Sequence, residues 1–410
     1  MKLIVLLPLL LCPCFSSAQD TLSQEVTRRY AYTFELDKNT VTGAGWDSLQ
    51  RDISTSQFIL IGENHSSPLL SLFTKHLLEA ASKKGFHHFL LETGPVASRK
   101  LVSLYDKDET VFSKRLNGFL TQFKLKDGSP PAEFMAMKND VPMYKAAIEQ
   151  KYNIVGLDKE YVSSIDYLLN ELGKYATKGS LKNEYEAALK RAAVYKKEEN
   201  EKEDNPYITQ CSTDSAISTF LDHIALVNKD AKFIVDEMRK TFLIYGLYEN
   251  KKYRESEAVR IARYKKAFGD LYYKNSGGNP SSFKAIIKFG NAHMERGKSY
   301  LSYFDLGNTA AELAALNGNT STHIYCMRRY RYNADGTVAD FYNMGYEVYY
   351  NIITLTDQVK WTIIDLRPIR ELMLNGKIKV NSKSERDLIF QNDIVLLIPV
   401  DGAYKASLNY

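Results

Sequence analysis

The signatures of several common enzyme classes are missing from this 410-residue chain. There is no Gly-x-Ser-x-Gly, so no strand-to-helix elbow exposes a nucleophilic serine. No Walker phosphate loop occurs, and no dinucleotide glycine fingerprint follows the first apolar run. Cysteine is scarce: Cys12 and Cys14 fall in an N-terminal apolar stretch, which leaves Cys211 and Cys326, far apart and without zinc-type spacing. Those two are open to pairing or to life as buried thiols. No repeat with a period of about 20 to 50 residues is visible, which excludes a solenoid. The formal charge of +5 is spread through mixed-sign sequence, so no nucleic-acid partner is expected.

The N-terminus, "MKLIVLLPLLLCPCFSSAQD", has one positive charge, an apolar core and small residues before Gln19. That is the pattern of a secretory signal spanning 1–18, with cleavage expected after Ala18. A lipoprotein signal needs a small residue before the acylated cysteine, but Leu11 precedes Cys12 and Pro13 precedes Cys14. Beyond it, no apolar run reaches the roughly 18 residues of a membrane span. The expectation is an exported chain, periplasmic or extracellular, with no span after cleavage. A composition of 44% hydrophobic and 25% charged residues is that of an ordinary globular protein, and the 28 tyrosines fit sheet surfaces or an aromatic-lined cleft.

After a lead-in over 19–50, residues 51–162 alternate strand and helix. "FILIG" is a short strand ending at glycine. In "SSPLLSLFTKHLLEAASKKG", Ser67 can cap, Pro68 suits the first turn, and Gly85 follows the last lysines. "FHHFLLETG" and "YNIVGLD" read as two further strands. Short links between strand and helix imply a parallel sheet with helical crossovers, whose carboxyl-end loops carry the chemistry. Residues 163–280 look like a helical insertion that roofs the site, ending at a Gly-Gly-Asn-Pro loop. Residues 281–410 complete the sheet with strands in "FKAIIKFGNAH", "STHIYCMRRYRY", "VKWTIIDLRP" and "DIVLLIPV" and a helix in "TAAELAALNG". The predicted class is α/β: a mostly parallel central sheet with flanking helices and a helical insertion.

Two segments carry the chemistry. "FILIGENH" and "IIKFGNAH" each run from an apolar strand into Gly-x-x-His, with Gly62 and Gly290 letting the backbone turn sharply. Glu63 and His65 share one turn, where a carboxylate beside an imidazole raises its basicity and orients its ring. Glu92 and Asp158 end the next two strands, His293 with Asn291 follows the second glycine motif, and Asp158 and Asn291 are candidates for binding substrate. His65, Glu63, Glu92 and His293 converging can serve metal-free acid/base hydrolysis, or bind a divalent metal through His65, Glu92 and His293. His76, His87 and His88 are expected to be packing or surface residues. "YRESEAVRIARY" sets Arg254, Glu255, Glu257, Arg260 and Arg263 on two helical turns, and Arg254 or Glu255 is the candidate for facing the cleft and binding substrate.

At these residues the sequence resembles the erythromycin-esterase-like proteins, within a wider group that includes the ChaN haem-uptake and Tiki/TraB proteins. The likeness is carried by "LIGENHSSPLL", "FLLETG", "YNIVGLD", "YRESEAVR", "KFGNAHMERG" and "NDIVLLIPV". The resemblance implies a hydrolase of an ester or related acyl bond in a small-molecule substrate; no cofactor is expected, with a divalent metal as the alternative. It implies that His65 activates water, that Glu63 or Glu92 orients it, and that His293 polarises the carbonyl. The chain departs from the esterases in having only Asn64 between Glu63 and His65, where they have Ala-Thr before the histidine. That shorter turn is closer to the haem-uptake and Tiki-like branches, which leaves two alternatives: a metal-dependent hydrolase or peptidase, and a non-enzymatic haem- or ligand-binding protein.

Overall fold

The computed structural model describes residues 20–65, 67–132, 140–201, 207–333 and 335–402. The expected signal segment, 1–18, lies outside them. Nine strands form the main sheet: β1 (Ala31–Leu36), β2 (Val41–Thr42), β3 (Ser56–Glu63), β4 (His88–Leu91), β5 (Asn153–Gly156), β6 (Ala285–Gly290), β7 (Thr320–Met327), β8 (Trp361–Asp365) and β9 (Ile394–Leu397). Their spatial order is β2-β1-β8-β9-β7-β3-β6-β4-β5. From β9 to β5 every pairing is parallel, while β8, β1 and β2 pair antiparallel at one side. The expected α/β class with a mostly parallel sheet is therefore observed. The 19–50 lead-in supplies two of the strands and part of the helix Ala44–Thr55.

The sheet is apolar on both faces because its parallel strands are covered on both sides. In β3, Ile59 and Ile61 join the larger core with Phe73 and Leu77 of the helix Pro68–Ser82. Phe58 and Leu60 point the other way, into a core built with Tyr264, Phe268, Phe289 and Leu306. The period of two thus separates the faces residue by residue. The helix Pro68–Ser82 starts as its sequence dictates: the Ser67 hydroxyl accepts from the Leu70 N–H, Pro68 occupies the first turn, and Gly85 takes the left-handed φ of +82°.

Between β5 and β6 the chain folds into helices that include Ile165–Gly173, Gly179–Glu201, Lys229–Glu249 and Tyr253–Asn275. The charged run expected to end as a solvated helix tail is helical to Glu201, and residues 202–204 lie outside the described set. One strand reading needs correction. "STHIYCMRRYRY" is not a single strand: β7 stops at Met327, and Tyr330–Tyr332 pairs antiparallel with Val338–Asp340 in a separate hairpin. The cause is Arg328, whose buried guanidinium donates to the His65 carbonyl and to Asp401, drawing the chain off the sheet line. Cys211 and Cys326 are both buried free thiols. No helix among the described residues is long and apolar enough to cross a membrane.

Candidate active site

Parallel pairing in register brings four strand ends to one edge. Glu63 pairs with Gly290 across β3 and β6, and Leu91 pairs with both Lys288 and Gly156. Glu63, Glu92 and Asp158 therefore emerge side by side, with His65 and His293 one short turn beyond. This is the carboxyl-end crevice where open parallel sheets bind ligands.

Glu92 lies at the centre of the cluster. Its Oε2 accepts from the Gly290 N–H at 2.6 Å and its Oε1 from Arg260 Nη2 at 2.7 Å. Two imidazoles face it from opposite sides: His65 Nε2 is 3.9 Å from Oε2, and His293 Nε2 is 3.6 Å from Oε1. Each imidazole is held through Nδ1 by a carboxylate of its own, His65 by Glu63 at 3.0 Å and His293 by Asp305 at 2.9 Å. Asp305 also accepts from the Tyr264 hydroxyl at 2.6 Å and caps the helix Leu306–Leu316. Two carboxylate–histidine dyads thus converge on one glutamate. The His65 side chain keeps 35% of its surface exposed and the His293 side chain 7%, so His65 is the imidazole with access to water.

The charges are arranged in pairs. Lys288, wholly buried in β6, binds Glu63 Oε2 from the same sheet face. Burial alone would raise the Glu63 carboxyl, but Lys288 and His65 outweigh it and hold it down at about 2. Burial opposes protonation of His65, yet the Glu63 hydrogen bond and charge prevail and raise it above its ordinary value. His293 is raised in the same way by Asp305 and Glu92, against its burial. Arg260 grips Asp158 through Nε at 2.9 Å and Nη2 at 2.5 Å, which depresses the Asp158 carboxyl despite desolvation.

A cavity of about 710 Å³ opens on one side of the two imidazoles, with Asn64, Tyr300, Tyr325, Arg328 and Arg331 among its walls. A second cavity, about 230 Å³, lies on the other side against Glu92, Asp158, Tyr161 and Arg260. His65 and His293 line both.

Solved structures share this architecture. A mutant of the erythromycin esterase EreC, in its open conformation, superposes with a TM-score of 0.56 over 92% of this chain and 99% of its own, at 15% identity. The fold is that of erythromycin esterase. A succinoglycan biosynthesis protein matches at 0.53 over 92% and 96%, and a Bacillus cereus protein at 0.51 over 93% and 98%, each at 13% identity. No family model matches the sequence, and no curated protein matches it.

Of the residues singled out from sequence, Glu63, His65, Glu92, Asp158 and His293 come together. Asn291 lines the larger cavity, but its amide clamps β7, donating to the Cys326 carbonyl at 3.0 Å. Arg254 and Glu255 stay exposed at the start of the helix Tyr253–Asn275 and line a different cavity with Tyr248 and Tyr253. The arginine that enters is Arg260, roughly two turns further on. The reason for Gly62 and Gly290 also differs from expectation. Neither has a positive φ. An alanine Cβ at Gly290 would sit 2.9 Å from His65 Nε2, and one at Gly62 would sit 2.6 Å from Asn291 Oδ1. These glycines make room for side chains.

Three site residues were not singled out from sequence: Lys288, Asp305 and Tyr264. Lys288 carried a signal, being a lone charge inside the apolar run "AIIKFG", where a lysine is fully buried only when paired. Asp305 stands before the helical run "LGNTAAELAAL" and reads as an N-cap, which it also is, so its second role was hidden. Tyr264 is one tyrosine among 28.

Proposed function

We propose that this protein is a hydrolase that cleaves an ester or lactone of a small molecule without a metal. The carrying observation is Glu92 set between two carboxylate-held imidazoles where two unequal cavities meet. The larger cavity suits one substituent of the reacting carbonyl and the smaller one the other. His65, oriented by Glu63, takes a proton from water at Nε2, and the water oxygen bonds to the carbonyl carbon. His293, charged and held by Asp305, donates from Nε2 to the oxygen that leaves as the ester C–O bond breaks. Glu92 stabilises the imidazolium on either side, and hydrogen bonds from Arg260 and the Gly290 N–H hold it in place between them. Similarity to erythromycin esterase in fold supports this class of reaction.

Screening para-nitrophenyl esters and lactones, followed by Glu92→Gln and His65→Ala, tests the reading. Each substitution is expected to lower kcat by about a hundredfold or more, in line with loss of general acid–base catalysis. Full activity in both folded variants overturns it.

A second reading has one observation behind it. Donor atoms of Glu63, His65 and Glu92 lie within 4.8 Å of one another, which fits a divalent cation. Lys288 on Glu63 and Arg260 on Glu92 already engage carboxylate oxygens such an ion would use, and for that reason the metal-free route is preferred. Calorimetric titration with zinc and manganese decides: tight binding in the parent protein, lost in His65→Ala, favours the metal.

A further inference from the structure

The larger cavity has a cationic wall that the hydrolytic chemistry does not use. Arg328, Arg329 and Arg331 fall within four residues where the chain leaves β7. Arg329 is matched on the surface by Asp340, through Nε at 2.9 Å and Nη2 at 2.7 Å. Arg328 is fully buried and bonded to Asp401 and to the His65 carbonyl, which ties this wall to the active-site turn. Arg331 is different. It lines the cavity, its Nε is buried without a hydrogen-bond partner, and its guanidinium makes no ion pair among the described residues. What supports it is the Phe341 ring, 4.3 Å from Cζ, which fixes one face of the plane and leaves its Nη donors for a ligand. Burial and the adjacent Arg328 charge make the position costly for a cation, which an arginine nevertheless keeps charged.

A half-buried guanidinium without an ion pair, answered only through space by Asp401, whose carboxylate Arg328 already engages, is unfavourable in the cavity that holds the reacting imidazoles unless an anion arrives with the substrate. We infer that the substrate carries an anionic group, a carboxylate, sulfate or phosphate, and that Arg331 binds it through the planar fork of its donors. The substrate is thus an acidic ester whose charged part fills the larger cavity, an identification that rests on the hydrolase reading above. Arg331 is a specificity residue and takes no part in bond cleavage.

The test compares two para-nitrophenyl esters of like shape, the mono-ester of succinate and the neutral butyrate. The parent protein is expected to favour the charged ester in kcat/KM by about tenfold or more, the usual weight of a charge-assisted hydrogen bond. Arg331→Gln should collapse that ratio, mainly through KM, and Arg331→Lys should restore part of it. Calorimetric titration with succinate, and separately with inorganic phosphate, reads the same site without catalysis. Either anion should bind the parent protein at least about tenfold more tightly than Arg331→Gln, and the tighter of the two identifies the group recognised. If neither ester is cleaved but Arg331-dependent anion binding is measured, the hydrolase reading falls and the anion site stands. If both esters are cleaved with the same ratio in parent and Arg331→Gln, and anion binding is equal or absent in both, the anion site is overturned. Matching thermal melting of the variants guards against a displaced hairpin.

Discussion

Replacing Lys288 by methionine is the sharpest probe of the site, because it removes one charge from the sheet interior and leaves Glu63 behind. Methionine keeps the length of the side chain, so the effect is electrostatic and not a cavity. Glu63 is held at about 2 against an ordinary 4.5, and at about 1.36 kcal/mol per pH unit that gap amounts to about 3 kcal/mol favouring its charged form. Stripping one partner from a buried pair typically costs about 3–5 kcal/mol, so the two routes agree. In the parent protein this contribution is present above pH 4.5 and is lost only as pH falls toward about 2, so it is constant across neutral pH. In Lys288→Met the Glu63–His65 pair takes up a proton on folding to replace the lost charge. A folded state that binds more protons than the unfolded one loses stability as pH rises. The destabilisation relative to the parent should therefore be largest near pH 8 and shrink by about 1–2 kcal/mol near pH 5.5. Urea unfolding followed by fluorescence at both pH values measures it. The double variant Glu63→Gln/Lys288→Met should recover much of the loss, since no unpaired charge remains. A cost under about 1 kcal/mol for Lys288→Met, the same at both pH values, would refute the claim that Lys288 holds a buried Glu63 charge.

Further outcomes follow from the same geometry. Hydrolysis needs neutral His65, whose affinity for protons is raised by Glu63, so kcat/KM should climb with pH through an apparent value above 6.5; a limb below about 6 in the pH–rate profile contradicts the assignment. Gly290→Ala should cut kcat by about a hundredfold through displacement of His65 while changing the melting temperature little, because no positive φ is involved. Asp305→Asn keeps a helix cap but gives His293 an uncharged partner, and a loss of about 10²–10⁴ in kcat with near-native unfolding is expected from steady-state kinetics and denaturation.

The fold was largely legible because its parallel strands are short apolar runs punctuated by glycine, and because Ser67, Pro68 and Gly85 mark helix ends locally. Glu63, His65, Glu92, Asp158 and His293 were legible for a related reason: a parallel sheet sends its strand ends to one edge, so chain position alone collects them. Departures arise where long-range partners decide. Arg328 ends β7 by reaching Asp401 and the His65 carbonyl, neither of which its neighbours in sequence announce. Within "YRESEAVRIARY" several arginines compete for the cleft, and the choice of Arg260 over Arg254 depends on how the helix Tyr253–Asn275 docks against Asp158, which helical periodicity leaves open.

The charge arrangement ties these elements into one argument about mechanism. Four carboxylates, Glu63, Glu92, Asp158 and Asp305, meet two permanent cations, Lys288 and Arg260, in a largely buried cluster. These carboxylates outnumber the two cations bound to them, and both histidines are raised above their ordinary values by their carboxylate neighbours. The resting site therefore favours protons on both imidazoles. Catalysis needs one neutral and one charged, and the groups that break this symmetry are already present. Lys288 opposes protonation of His65 and Arg260 opposes that of His293, so what separates the two rings is access: His65 is open to water, while His293 is enclosed beside Asp305 and Glu92. On the proposed hydrolytic route, His65 serves as the base because an incoming water can reach it, and His293, held by Asp305, serves as the acid.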